Sequence, residues 1–185
     1  MNLLPESTWT KPRPGCPRPD WWHASDVDST EIEVTELIAG FVRALQPELV
    51  VETGTAWGQT AQAIGRALHD NGHGQLYTLE PDRGRAEFSR ERCRGLPVTV
   101  VCKRSLDWWP PGAVDFAWLD SLLHLRVQEF HHFRGAFSPG AFVGFHDTGP
   151  QHEPLATQVG ELEAAGLYKG LSLPTPRGVT VGVVL

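Results

Sequence analysis

Two rhythms of apolar and polar positions run along the chain. Between Thr30 and Pro47, the residues Val34, Leu37, Ile38, Phe41, Val42 and Leu45 recur at steps of three and four, the mark of one buried helical face. Thr30 and Glu33 have the spacing of a capping box and Pro47 supplies the stop. Short apolar runs then alternate with amphipathic stretches. "LVVET" (49–53) predicts a strand, and a helix is expected from about Gly58 to His69. "GQLYTLE" (74–80) and "VTVVC" (98–102) read as strands flanking a helix, "GRAEFSRERC" (84–93). Further along, "VDFAWLD" (114–120) and "AFVGFHD" (141–147) read as strands separated by a helix, "LRVQEFHHFRGAF" (125–137). "LATQVGELEAAG" (155–166) is a helix with Gly166 past its end. "YKGLSLPTP" and "RGVTVGVVL" read as two closing strands joined near Pro176–Gly178, too close together for a helix between them and therefore antiparallel. Strands apolar on both faces and alternating with helices predict an α/β fold: a mostly parallel sheet covered on both sides, with a reversed last strand.

Composition narrows the class. The chain has 185 residues, 41% of them hydrophobic, enough for one domain with a substantial core. The net charge is −6 and the basic residues form no run, which argues against a nucleic-acid groove or an anionic membrane surface and for a small-molecule partner. No apolar run approaches a membrane span and the N-terminus does not resemble a signal peptide, so a cytoplasmic location is expected. The cysteines, Cys16, Cys93 and Cys102, are odd in number and form no CxxC; Cys102, closing an apolar run, is expected to be a core thiol. Residues 1–28 stand apart from the single domain expected over 29–185: they carry five prolines together with Trp9, Trp21 and Trp22. Tryptophans are costly to leave in water, so this arm is expected to pack on the body, with Trp21 and Trp22 closing over a site as a lid. Exposed aromatics leave room for a homodimer.

In open parallel sheets, ligands bind beyond the carboxyl ends of the strands. The first such end is Glu52-Thr53-Gly54-Thr55-Ala56-Trp57-Gly58. Gly54 permits a tight turn and Gly58 a close approach of the next helix. A dinucleotide loop would need glycine where Ala56 stands, and a phosphate-binding P-loop would need Gly-Lys-Ser/Thr, so a nicotinamide-dependent oxidoreductase is disfavoured. Glu80, at the end of the second strand, is placed to accept both hydroxyls of a ribose, and Glu52 to serve an ammonium group. Beyond the fourth and fifth strands stand Asp120, Ser121, His124, His146 and Asp147. The remaining histidines, His152 among them, show no spacing that suggests chemistry.

Glu52-x-Gly54-x-x-x-Gly58, the strand-end Glu80, "VDFAWLD" and "PGAFVGFHDT" together resemble a class I S-adenosylmethionine-dependent methyltransferase, over roughly residues 30–185. The likeness is to the small catechol O-methyltransferase-like and natural-product-tailoring group. It implies a Rossmann-like seven-stranded sheet and S-adenosylmethionine as cofactor. Glu52, Gly54, Thr55, Trp57, Gly58, Glu80, Ser105 and Asp120 would bind it, with Trp57 and Trp108 either beside its ring or in packing. The acceptor would be a hydroxyl of a small molecule; nitrogen or carboxylate acceptors, or a non-catalytic cofactor-binding module, are the alternatives. In metal-dependent relatives, carboxylates at the positions of Asp120 and Asp147 hold Mg²⁺. His146 departs from that oxygen set and suits a softer ion such as Mn²⁺ better. Two roles therefore remain open. Asp120, His146 and Asp147 hold a divalent ion beside an auxiliary base, His124, or His124 or His146 removes the acceptor proton directly.

Overall fold

A computed structural model describes residues 21–25 and 29–185. Its strands are β1 (Leu49–Thr53), β2 (Gln75–Leu79), β3 (Val98–Val101), β4 (Val114–Leu119), β5 (Phe137–His146), β6 (Tyr168–Leu173) and β7 (Val179–Val184). The helices are α1 (Ile32–Leu45), α2 (Gln59–Asn71), α3 (Arg83–Arg92), α4 (Arg126–Phe133) and α5 (Glu153–Ala164). The sheet order is β3-β2-β1-β4-β5-β7-β6. β1 to β5 pair in parallel, and β7 runs antiparallel to both β5 and β6. The expected reversed strand is thus β7, inserted between β5 and β6.

Because side chains alternate across a strand, each apolar run feeds both faces. Val50, Leu76, Phe116, Trp118 and Val181 meet Val34, Ile38 and Val42 of α1 and Ile64 and Leu68 of α2. Val51, Leu79, Leu119, Val143 and Phe145 meet Phe130 and Phe133 of α4 and Leu155, Val159 and Leu162 of α5. Each such fully buried large side chain stabilises the fold by about 1.5–3 kcal/mol. No helix among the described residues is long and apolar enough to cross a membrane.

Three local expectations fail, each for a physical reason. The capping box does not form: α1 has Glu31 at its N-cap with no side-chain cap. The Thr30 hydroxyl donates instead to Asp120 (2.8 Å), and the Glu33 carboxylate is taken by the His23 backbone N–H (3.1 Å) and ring (2.7 Å). The buried stripe of α1 is flanked by Thr35 and Ala39, which leaves Leu37 on the opposite flank 37% exposed and the terminal Leu45 49% exposed. Cys102 is exposed while Cys93 is buried, since β3 is an edge strand that ends at Val101. Trp22 packs against the α1–α2 core and Trp21 is 65% exposed. Neither is among the residues that line the cavity described below. The rest of the arm (1–20 and 26–28), with Trp9 and Cys16, lies outside the described residues.

Candidate active site

β1 and β4 are central neighbours whose onward connections leave in opposite directions, and the carboxyl ends of β1 to β5 open into a cavity of about 890 Å³. The β1–α2 loop forms one wall. Gly54 (φ +82°) lies so close to β4 that a Cβ there would sit 2.3 Å from the Asp120 carbonyl oxygen. Gly58 (φ +75°) presses not on its own helix but on Ser89 of α3. Between them Ala56, where a dinucleotide loop would have its middle glycine, adopts φ +47°. An L-residue there is strained by about 1–2 kcal/mol. Two side chains brace it. Glu80 accepts the Ala56 N–H (2.9 Å), and the Ser89 hydroxyl donates to the Ala56 carbonyl (3.0 Å). The other Glu80 oxygen accepts the Asp82 N–H (2.9 Å). Each Glu80 oxygen keeps a further lone pair, and the residue lines the cavity.

Two buried carboxylates underlie this wall and floor. Glu52 is 1% exposed and does not line the cavity. It accepts the Thr78 hydroxyl, which also meets the Thr55 hydroxyl. Burial pushes the Glu52 carboxyl up to about 8, partly opposed by the Thr78 hydrogen bond and reinforced by the negative charges of Asp120 and Glu80. Glu129 of α4, fully buried, accepts hydroxyls from three strand ends: Thr53, the last residue of β1 (2.8 Å), Ser121 after β4 (2.7 Å) and Ser105 after β3. The expected cofactor residue Ser105 is thus held in place from below while lining the cavity.

The acidic end of the cavity holds a network of six charged residues. Asp120 and Asp147 leave β4 and β5; Asp147 has φ +58°. His146 is fully buried, its Nδ1 3.1 Å from Asp120 and its Nε2 2.9 Å from Glu31. One Arg126 nitrogen, Nη2, bridges Asp120 (2.9 Å) and Asp147 (2.8 Å). Arg177, from the β6–β7 turn, reaches Asp147 through Nε (2.5 Å) and Nη2 (3.0 Å). Burial alone would lower the His146 pKa, but the charges of Asp120 and Asp147 and the hydrogen bonds to Asp120 and Glu31 outweigh it and hold it at about 9. Burial would likewise raise Asp120 and Asp147, and the charges of His146 and Arg126, with Arg177 at Asp147, hold both below the usual carboxylate range.

Ligand atoms of Asp120, His146 and Asp147 lie within 4.8 Å of one another, the grouping expected for a divalent ion. The donor set nevertheless does not fit one. In this arrangement both imidazole nitrogens face carboxylates, and the doubly protonated ring that donates to both offers no lone pair to a metal. Arg126 already stands between the two aspartates. The same geometry leaves His146 unable to accept a proton from a ligand, and His146 does not line the cavity.

The structure brings Gly54, Thr55, Trp57, Glu80, Ser105, Asp120, His124 and Asp147 to one cavity. Trp57 stacks edge-on with Phe88 (5.4 Å) and carries the Arg85 guanidinium over its face (5.6 Å). Trp108 instead packs with Tyr77 and Phe133, away from the cavity. Arg126, Arg177, Glu129, Glu31 and His152 were not singled out from the sequence. His152 lines the cavity in a single 3₁₀ turn before α5, with Nε2 3.5 Å from Asp147. A signal for two of them existed: 126, 129, 130 and 133 fall on one helical stripe, which puts Arg126 and Glu129 on the buried face beside Phe130 and Phe133.

Comparison with known proteins gives a consistent picture. A family model described as a methyltransferase domain matches residues 51–148. No curated protein matches. Among solved structures, the O-methyltransferase of Bacillus cereus in complex with SAH superposes with a TM-score of 0.75 at 16% identity, covering 86% of this chain and 84% of that one. The O-methyltransferase TomG of Streptomyces achromogenes, involved in tomaymycin synthesis and solved with SAM, gives 0.72 at 20% identity, covering 85% and 82%. The SAH-bound methyltransferase PaMTH1 of Podospora anserina gives 0.74 at 15%, covering 85% and 80%.

Proposed function

Since the chain belongs to the methyltransferase-domain family, we propose that its 29–185 domain transfers a methyl group from S-adenosylmethionine to a hydroxyl of a small molecule. The observation that carries this reading is Glu80. It is a carboxylate at the end of β2 that is braced by two backbone N–H groups and lines the cavity. That is the recognition a ribose diol requires. The cavity volume of about 890 Å³ suits a nucleoside linked to an amino acid with room for an acceptor. Trp57 and Ser105 flank the space around Glu80 as adenosine neighbours, and Gly54 and Thr55 border the amino-acid portion. The buried Glu52 acts through Thr78 and Thr55, by fixing the loop. A hydroxyl acceptor is favoured because the fold neighbours from Bacillus cereus and Streptomyces achromogenes are O-methyltransferases.

Bound there, S-adenosylmethionine supplies a methyl group already activated by its sulfonium. The protein's task is to place the acceptor in line and remove its proton. Leu122 and Leu123, 63% and 39% exposed, line the cavity near Asp120 and give the acceptor an apolar seat. Two histidines line the same region, His124 and His152. His152 is the favoured general base, because it lines the cavity and partial burial lowers its pKa, which keeps the imidazole neutral at pH 7 and able to take a proton. As the methyl–sulfur bond breaks and the methyl–oxygen bond forms, that proton moves from the acceptor to His152.

Isothermal titration with S-adenosylhomocysteine tests the cofactor assignment. The wild-type protein is expected to bind it and to ignore NAD⁺. Glu80→Ala is expected to weaken binding by about 1–3 kcal/mol, the loss of a charged hydrogen-bond acceptor. Unchanged affinity in a folded variant would remove Glu80 from the site. Formation of S-adenosylhomocysteine on adding a hydroxylated acceptor separates an enzyme from a module that only binds.

A further inference from the structure

We propose that the Arg126 guanidinium takes the place of a divalent cation between the β4 and β5 carboxylates, so that methyl transfer by this chain needs no metal ion. Two strand-end carboxylates beside a histidine would ordinarily require a cation to be stable together. Here the cations are built in. Glu31, Asp120 and Asp147 face Arg126, Arg177 and His146, and the two guanidiniums stand directly against Asp120 and Asp147. The four oxygens of Asp120 and Asp147 are all engaged. Asp120 Oδ1 meets Arg126 (2.9 Å) and Oδ2 accepts the Thr30 hydroxyl (2.8 Å). Asp147 Oδ1 meets Arg177 (2.5 Å) and Oδ2 accepts from Arg126 (2.8 Å). An ion seated between the two acids would have to displace the Arg126 Nη2 that bridges them.

Arg126 is also fixed from the side away from the acids. Its Nε donates to the Ser121 carbonyl (2.9 Å), and Nη1 donates to the His146 carbonyl. One buried side chain at the start of α4 thereby ties the end of β4 to the end of β5, the geometric service that a chelated ion would perform. A guanidinium holds this geometry through directed N–H bonds and retains its charge at every accessible pH. Arg126 lines the cavity, so its charge also stands beside the acceptor region. It is a positioning residue: it acts through Asp120 and Asp147.

The turnover arm of the test rests on the methyl-transfer reading; the binding arm does not. Mn²⁺ is titrated into the full-length protein and free Mn²⁺ is read by electron paramagnetic resonance. The wild-type protein is expected to leave the free signal undiminished at micromolar Mn²⁺, and its turnover is expected to be equal in EDTA and in Mg²⁺. Stoichiometric Mn²⁺ binding by the wild-type protein would overturn the proposal, as would turnover lost in EDTA and restored by Mg²⁺ or Mn²⁺. Arg126→Ala uncovers both carboxylates and is expected to gain Mn²⁺ affinity at least tenfold, a change that a merely structural arginine would not produce. A folded Arg126→Ala variant with no gain would contradict the replacement of a cation by Arg126. If that variant does not fold, the wild-type titration still decides. A protein without any turnover but also without Mn²⁺ binding would sink the functional reading and leave standing only the replacement of a cation by Arg126.

Discussion

Replacing His152 by alanine is expected to lower kcat by about 10²–10⁴-fold, the usual contribution of a positioned general base, with little change in S-adenosylhomocysteine affinity. His152 lies in the turn before α5, lines the cavity and has a side chain 20% exposed, with Nε2 directed at Asp147. Partial burial lowers its pKa from the ordinary value of 6.5; the Asp147 charge pulls the other way, and Arg177, Arg126 and His146 add to the lowering. The imidazole is therefore neutral at pH 7 and able to accept a proton. The sign of the pH dependence follows. A base works only when deprotonated, so the wild-type rate should be flat above about pH 6.5 and fall at lower pH as His152 protonates. His152→Ala should lose that acid limb together with the rate. His146 cannot substitute, since both its nitrogens are committed to carboxylates and its pKa of about 9 keeps it charged. A His152→Ala variant with wild-type kcat, paired with a large loss in His124→Ala, would transfer the role to His124.

Gly54→Ala carries the largest expected effect on the fold of the site. The added Cβ would lie 2.3 Å from the Asp120 carbonyl oxygen and 2.9 Å from the Ser121 Cα, both backbone atoms that cannot rotate away. The residue also holds φ +82°. Overpacking and backbone strain together should cost roughly 2–6 kcal/mol. A Tm drop of more than about 5 °C is expected for a chain of this size, along with at least tenfold weaker S-adenosylhomocysteine binding, because the clash separates the cofactor loop from the end of β4. Gly72→Ala is the control. Gly72 has φ +78° but nothing within 4 Å of its would-be Cβ, so it feels only the conformational cost of about 1 kcal/mol. Equal Tm shifts for the two variants would show that the close approach at Gly54 contributes little.

The sheet was legible in the sequence because its signal is local. "LVVET", "VDFAWLD" and "AFVGFHD" are apolar on both faces, which only a covered parallel strand tolerates, and the short gap between "YKGLSL" and "GVTVGVVL" permits only a hairpin. The cavity wall proposed to hold the cofactor was legible for the same reason: Gly54 and Glu80 stand just past strand ends, where ligands of such sheets bind. The ion network was not, because its partners are far apart in sequence. Glu31 and His146 are separated by 115 residues and Arg177 and Ser29 by 148, so no spacing rule relates them. The expectation that Asp120, His146 and Asp147 converge identified a true cluster and did not include Arg126 and Arg177, which stand beside the two aspartates. Arg126 and Glu129 escaped notice because charged residues on a helix are ordinarily assigned to its solvated face, although their spacing with Phe130 and Phe133 placed them on the buried one.

The most direct test of the central claim is a crystal structure of the protein grown with S-adenosylhomocysteine. The expected result places the ribose hydroxyls on the Glu80 carboxylate, the adenine between Trp57 and Ser105, and the thioether sulfur facing the end of the cavity that holds Asp120 and His152. A ligand seated elsewhere, or a cavity that stays free of it at saturating concentration while Glu80 keeps only its two backbone partners, would contradict the assignment of this site to methyl transfer.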